Sequence, residues 1–481
     1  MKPLLAALLS GTLFALSLPP FDFEWLGWVA FVPLLWAAPG RRPLEAVGMG
    51  MLAGGICGVV QAGWYHDTAR LFWAYIPFLW LSFLFAVVAL AAAIVPPGWS
   101  PLRRVFLVTC VGVGGEWLTS FLPLPLNIAL CQYKNLPLIQ IAAWTGIWGV
   151  SFLLWWVNVA LADFALRRKF IPAGLGLGIA AITLGIGAIN LGQTHALNPH
   201  LTVAAIQDLT SGETGDLAPR TAGIDRAEMT RQAAAKGAAL IVWSEESLGG
   251  EFDPKSPKDE TRTLARQLKT ALVVGYSDDT RPKPYNCAAY LAPDGSVLAP
   301  VHHKIHLYLA ERETNMSGQS ATVVLAPEGP LGLEVCFDSC YTNTTRATVQ
   351  QGAKLIAMPN YDPPTPRGVL HRLHGAMLPF RAVENHVPFV RADSNGLSQI
   401  VAANGKILVQ SPLFVPDVLV GTVELGSGQG TFFTRWGDWF AYLCLGMVGV
   451  GALNGLRSYR RPSVQTNAVS TTVMFVHVPR A

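Results

Sequence analysis

Apolar residues crowd the first 192 positions of the chain and then change rhythm. Seven long apolar runs, roughly 3–19, 24–38, 44–65, 71–95, 105–123, 138–165 and 171–192, fill that stretch, and an eighth lies at about 437–456. Most approach the ~20 residues a helix needs to cross the hydrocarbon of a bilayer; the first two are short. Lys2 and the apolar run after it have the look of a secretory leader. However, Leu18-Pro19-Pro20-Phe21 offers no small-residue cleavage site and more spans follow, so the segment is expected to be retained. From about 200 the pattern turns to short β-rich runs between polar helical stretches. Strands are predicted at 201–206, 238–244, 271–276, 285–292, 296–301, 321–326, 331–336, 353–358, 387–392, 397–402, 406–410 and 417–424. Helices are predicted at 222–236, 258–269, 342–352 and 370–385. Asp294-Gly295 and Asn404-Gly405 fall between pairs of strands, where they suit tight hairpin turns.

Strands interleaved with helices predict an α/β domain of about 230 residues, large enough for its own core. The expected layout is a transmembrane bundle of seven spans over 1–195, the α/β domain over 196–430, an eighth span over 431–461 and a poorly ordered tail over 462–481. Composition agrees: the 481 residues are 51% hydrophobic and only 14% charged, against about 25% charged in soluble proteins. A net charge of +4, gathered in short clusters, is too small to argue for nucleic acid. Those clusters set an orientation instead. Arg41-Arg42, Arg103-Arg104, Arg167-Arg168-Lys169, and Arg457 with Arg460-Arg461 follow the second, fourth, sixth and eighth runs. Every second loop is therefore basic, and basic loops stay in the cytoplasm. Both termini are expected there, with the α/β domain across the membrane, which in a bacterium means the periplasmic side of the inner membrane.

Three polar features stand where strands give way to loops. One run ends in Ser244-Glu245-Glu246, a second in His302-His303-Lys304-Ile305-His306-Leu307, and the third, 331–336, closes on Cys336 with Phe337 and Asp338 after it. An acid, a lysine and a cysteine so placed can converge on one site. A free thiol has a pKa of about 8.5, so a base must take its proton for efficient attack at neutral pH. Glu245 suits that task, and Lys304 suits the oxyanion that attack on a carbonyl creates. Each also has an ordinary alternative: a buried structural cysteine, surface acids, a solvated lysine. Seven cysteines form no CxxC pair, and their odd number excludes a fully paired set. Cys336 and Cys340 could make a disulfide or half a metal site, but nothing nearby supports either. His302, His303 and His306 lack a zinc spacing, so no metal is expected. Glu116 lies inside the fifth run, where a carboxylate is either functional or an interhelical hydrogen-bond partner.

Glu, Lys and Cys in this order, each closing a strand of an α/β domain, resemble the nitrilase superfamily. The frame of spans resembles the bacterial apolipoprotein N-acyltransferase family. In the first half the resemblance is carried by Pro19-Pro20-Phe21 with Pro33-Leu34, Gly63-Trp64, Glu116-Trp117-Leu118, Pro137-Leu138-Ile139-Gln140 and Gly149-Val150-Ser151-Phe152. In the second it is carried by Trp243-Ser244-Glu245, Lys304-Ile305-His306-Leu307 and Cys336-Phe337-Asp338 with Arg346. Further matches are Arg381-Ala382-Val383-Glu384-Asn385, Arg391-Ala392-Asp393-Ser394-Asn395-Gly396 and Arg435-Trp436-Gly437-Asp438-Trp439. The resemblance implies a four-layer αββα sandwich on an eight-span membrane bundle. It also implies acyl transfer from a phospholipid, through a thioester, to the amino group of a diacylglyceryl-cysteine lipoprotein. Glu245 would be the base, Lys304 the oxyanion partner and Cys336 the nucleophile. No cofactor is implied; the partners are phospholipid donor, lipoprotein acceptor and membrane lipid, and a monomer is expected.

The chain also departs from the family. Ser244, Phe337 and Asp338 stand where the family usually has Pro, Tyr and Glu. The run Leu307-Tyr308-Leu309-Ala310-Glu311-Arg312-Glu313 replaces Leu-Val-Pro-Phe-Gly-Glu, so the second site glutamate is Glu311 or Glu313, with Glu311 preferred. Asn360-Tyr361-Asp362-Pro363-Pro364 replaces an Asn-Asp-x-Trp-Phe loop and drops its tryptophan. These changes leave acyl transfer in place and the acceptor open. A membrane-tethered amidase using water, or a non-catalytic scaffold, are the alternatives. An intact Glu–Lys–Cys set argues against the scaffold.

Overall fold

The structure, a computed structural model, describes residues 3–62, 68–122, 125–192, 199–209, 225–248, 252–254, 256, 259–308, 311–363 and 368–460. The predicted tail 462–481 lies outside the described residues, as do Gly63-Trp64, Leu309-Ala310 and Pro364 of the motifs above.

The apolar runs fold as helices Pro3–Ser17, Pro43–Ala62, Thr68–Ile94, Pro101–Thr119, Ile147–Arg167, Ile171–Leu191 and Trp439–Arg460. Two runs fold differently from expectation. The second is a 3-10 turn, Glu24–Trp28, followed by the six-residue helix Val32–Ala37. The run 138–165 breaks into Leu136–Ile139, Ala142–Thr145 and Ile147–Arg167. Gly146 divides the last two with φ at +67°, a conformation no continuous helix contains. Among the described residues, Pro43–Gln61, Ile147–Arg167 and Ile171–Leu191 are long and apolar enough to cross a membrane.

Glu116 is wholly buried among these helices. It accepts hydrogen bonds from Trp155 Nε1 and Ser151 Oγ, each at 2.6 Å, and from Asn127 Nδ2 at 3.1 Å. Both oxygens are satisfied, so this is an interhelical tie.

Among the described residues the second half holds twelve strands: β1 His200–Gln207, β2 Leu240–Val242, β3 Ala271–Asp278, β4 Tyr285–Leu291, β5 Val297–His303, β6 Thr322–Ala326, β7 Gly329–Leu333, β8 Leu355–Asn360, β9 Phe389–Asp393, β10 Gln399–Val401, β11 Ile407–Gln410 and β12 Asp417–Glu424. They form two six-stranded sheets, ordered β12-β1-β2-β3-β4-β5 and β11-β10-β9-β8-β7-β6. In each sheet the three central strands, β1-β2-β3 and β7-β8-β9, are parallel.

Alternation along the strands explains the layering. Val203, Ala205, Leu240, Val242 and Val273 share one core with Leu331, Leu333, Leu355, Ala357 and Val390 of the facing sheet. Their neighbours Ala204, Ile206, Ile241 and Val274 turn outward onto Met229, Ala233, Leu264 and Ala265 of helices Arg226–Ala235 and Glu260–Leu268. On the other sheet, Ile356, Met358 and Phe389 turn onto Val349, Leu378 and Ala382 of helices Thr342–Gln350 and Met377–Asn385. The result is helix, sheet, sheet, helix. Strands buried on both faces read as continuous apolar runs, which is why the pattern was so plain.

The two halves are joined beside the cysteine. Asp438 accepts from Trp148 Nε1 at 2.8 Å and Trp117 Nε1 at 3.1 Å in the bundle, and from Thr342 Oγ1 at 3.3 Å in the sandwich. Glu384 accepts from the Ile147 N–H at 2.8 Å, and Tyr341 Oη reaches the Leu122 carbonyl at 3.4 Å.

Candidate functional site

Three strand ends meet over one cavity. Past β2 the chain turns sharply at Ser244–Glu246, pressed against β3. A β-carbon on Gly275 would lie 2.6 Å from the Ser244 carbonyl oxygen, so the turn needs glycine there. Lys304 directly follows β5, and its N–H bonds the Asn286 carbonyl at 2.8 Å. Cys336 corrects the expectation of a strand running to 336. The strand β7 stops at Leu333, and Cys336 begins the 3-10 turn Cys336–Cys340. Its φ of +47° is left-handed, rare for a residue with a β-carbon. A strained strand-to-helix turn of this kind lifts a nucleophile out of the sheet.

Glu245, Lys304, Glu311, Cys336 and Phe337 all line a cavity of about 350 Å³, with Glu246, Tyr308, Tyr361, Asp362, Leu370 and His374. Lys304 Nζ bonds Glu245 Oε1 and Glu311 Oε1, each at 2.7 Å. Asn286 Nδ2 adds donors to the same two oxygens, at 2.6 and 3.2 Å. Glu311 Oε2 accepts the Tyr308 N–H at 2.7 Å. Glu313 is exposed outside the cavity, so the geometry selects Glu311 of the two. Glu245 Oε2 is buried without a hydrogen-bond partner among the described residues. Cys336 Sγ rests 3.5 Å from the Tyr361 carbonyl oxygen.

Burial sets the proton affinities. It pushes Glu245 up to about 7, against the pull of Lys304 and with the help of Glu311. Burial also raises the Cys336 thiol well above its ordinary value, and Glu245 adds to it while Lys304 opposes. For Lys304 burial works downward, yet Cys336, Glu245 and Glu311 together hold its ammonium well above the usual range. The resting site thus holds a neutral thiol beside a firmly charged lysine and a carboxyl near its midpoint at neutral pH.

Asp338 lies outside this cavity and does something else. Its Oδ1 accepts the Ile305 and His306 N–H groups at 3.0 and 2.8 Å, while Oδ2 accepts the Val335 N–H at 3.1 Å and pairs with His302 Nε2 at 2.8 Å. Burial opposes ionisation of this carboxyl, but the His302 bond and charge outweigh it and lower its pKa. One carboxylate thereby clamps the lysine segment to the cysteine turn. Cys340 is buried at the far end of that turn and does not line the cavity.

Sequence reasoning missed a second network behind the thiol. His374 Nδ1 pairs with Asp362 Oδ1 at 2.9 Å, and its Nε2 with Ser339 Oγ at 3.0 Å. Arg391 bridges Asp362 and Asp393. These residues come from separate elements, and no local spacing announces them. Cys336, Asp362 and His374 offer ligand-type atoms within 4.8 Å of one another, which is the geometry a divalent metal could use. Those nitrogens and oxygens are already paired with each other, with Ser339 and with Arg391, whose positive charge opposes a cation. A hydrogen-bonded support for the turn accounts for them.

Comparison with known proteins gives the class first. Residues 202–431 match the carbon-nitrogen hydrolase family model, the class of the sandwich, and residues 10–160 match the apolipoprotein N-acyltransferase N-terminal domain. An apolipoprotein N-acyltransferase of Geobacter metallireducens is 31% identical over 524 residues, spanning 96% of this chain and 96% of its own. Apolipoprotein N-acyltransferase 1 of Treponema denticola is 23% identical over 92% of this chain and 94% of its own. The crystal structure of an amidase from Nesterenkonia sp. aligns with 51% of this chain and 100% of its own, at 23% identity and a TM-score of 0.40. The chain belongs to the apolipoprotein N-acyltransferase family.

Proposed function

We propose that the protein moves an acyl chain from a membrane phospholipid, through a thioester on Cys336, to the amino group of a diacylglyceryl-cysteine lipoprotein. One observation carries the mechanism: Glu245, which lines one cavity with Cys336, is held by Lys304 and Asn286 through Oε1 alone, leaving Oε2 buried and unpartnered among the described residues. That oxygen takes the thiol proton as sulfur attacks the ester carbonyl. Lys304 and the Phe337 N–H, which as a first-turn amide has no acceptor within its turn, stabilise the oxyanion. The proton then passes to the departing lysophospholipid oxygen. In the second half-reaction the amine gives its proton to Glu245, attacks the thioester, and releases Cys336. Donor and acceptor are both lipid-anchored, so storing the acyl group on sulfur lets one leave before the other enters.

The amidase alternative is not favoured, because the relatives that align over nearly the full chain are named N-acyltransferases. The eight-span topology belongs to the same proposal: seven spans in 1–195, the catalytic domain over 196–430 on the periplasmic side, the eighth span in 431–461 and a cytoplasmic tail. Basic clusters after alternate spans support it. Reporter fusions after residue 195 and after residue 462 should report opposite compartments; the same compartment for both would overturn the topology. For the chemistry, wild type incubated with phospholipid alone should gain one acyl mass that neutral hydroxylamine removes. Cys336→Ala should gain none, and Cys340→Ala should behave as wild type. Acyl transfer without that adduct in a rapid-quench series would replace the thioester with direct transfer.

A further inference from the structure

One carboxylate of the cavity is neither bonded to Lys304 or to a histidine nor used in the mechanism above. Glu246 is exposed yet lines the same space as Glu245, Glu311, Lys304 and Cys336. Its backbone sits at φ +49°, a left-handed conformation that a β-carbon disfavours. The surrounding structure imposes it. The Leu248 N–H and Ser247 Oγ both donate to the Gly275 carbonyl at 3.1 Å, and Arg226 Nη1 donates to the Ser247 carbonyl at 2.6 Å. Backbone strain maintained in this way gathers at binding and catalytic sites. Among the described residues Glu246 forms no hydrogen bond or ion pair. Lys304 is occupied by Glu245 and Glu311. Of the four carboxylates that line the cavity, Asp362 is paired with His374 and Arg391; the other three share one ammonium, Lys304, and one of them retains a buried, unpartnered oxygen, Glu245 Oε2. A partly enclosed space with an anionic excess draws in cations.

We propose that Glu246 is a specificity-determining residue for the acceptor: it binds a primary alkylammonium at the mouth of the site and presents it to acyl-Cys336. The inference rests on the thioester reading and adds the chemistry by which the acceptor is chosen over water or an alcohol. The ammonium, held by Glu246 at the open mouth of the cavity, first loses one proton to solvent. The freed nitrogen lone pair then bonds to the thioester carbonyl carbon, and the C–S bond breaks with its electrons on sulfur. The second N–H proton travels through Glu245 to sulfur. An amide and a free thiol remain.

The test uses the full-length enzyme, charged with phospholipid. One acceptor is a synthetic peptide with an N-terminal S-diacylglyceryl-cysteine, and the other is its analogue with hydroxyl in place of the α-amino group. E246Q should raise the KM for the amine about tenfold, the scale of one lost charge contact, with far less change in kcat or in use of the hydroxyl analogue. Wild-type KM for the amine should rise with salt, and that slope should flatten in E246Q and return in E246D. An unchanged amine KM in E246Q, or equal changes for both acceptors, overturns the proposal. If E246Q fails to fold, a salt-insensitive wild-type KM overturns it alone. Absence of the thioester in wild type would instead be a failure of the proposed function.

Discussion

Glu116 in the helical bundle and Glu245 in the sandwich are both buried glutamates, and the protein treats them in opposite ways. Glu116 has donors on both oxygens: Trp155 on one, Ser151 and Asn127 on the other. Glu245 has Lys304 and Asn286 on one oxygen and no partner on the other. A carboxylate satisfied on every side in an apolar setting ties helices together. One left half-satisfied beside a thiol holds a place for a proton. Burial alone does not separate structure from chemistry; an unfilled acceptor on a residue that lines one cavity with a thiol does.

Substitutions should widen that contrast, beginning with the cation. Lys304→Ala removes the charge that holds Glu245 and leaves Glu245 and Glu311 facing each other. Thioester formation should fall on the order of 10²–10³-fold, measured by rapid-quench mass spectrometry. A decline smaller than tenfold would remove Lys304 from the oxyanion role. Glu245→Gln keeps the shape and removes the proposed base, with a cost of roughly 10²-fold at neutral pH, the lower end for general-base catalysis. The pH profile gives its sign. Burial places Glu245 at about 7 and the carboxylate is the working form, so the wild-type rate should climb as pH rises through that value. In the glutamine variant this limb should vanish; an unchanged limb would assign it to another group.

Glu116→Gln should do the reverse. It turns one acceptor into a donor facing Trp155, or Ser151 and Asn127, and should cost about 1–3 kcal/mol of stability. Thioester formation per folded molecule should stay close to wild type. The unfolding midpoint and the rapid-quench rate, taken on one preparation, check both halves. A normal midpoint with a lost rate would make Glu116 chemical and dissolve the comparison.

Legibility follows the same division. Each of the twelve predicted strands has its counterpart, because doubly buried strands write their apolar runs directly into the chain. The acid, the lysine and the cysteine stood out because each follows such a run. What the sequence could not give was the pairing among polar groups. Glu311 rather than Glu313 meets Lys304, and the chain between 304 and 313 carries no periodicity that would separate them. Asp338 read as a residue of the site, whereas it clamps the Ile305 and His306 amides from outside the cavity.

By itself, then, the sequence determined where apolar segments must leave water, which of them are strands, and which reactive side chains sit at their ends. Hydrophobic periodicity is a local property, and burial follows from it. Only the tertiary structure decided that β7 stops at Leu333, that Cys336 turns left-handed, and that Asp362, His374, Ser339 and Arg391 gather behind it. It alone separated the satisfied Glu116 from the half-satisfied Glu245. Hydrogen-bond partners come from elements distant in the chain, Lys304 lying 59 residues from Glu245, and they meet only once the sheets have packed.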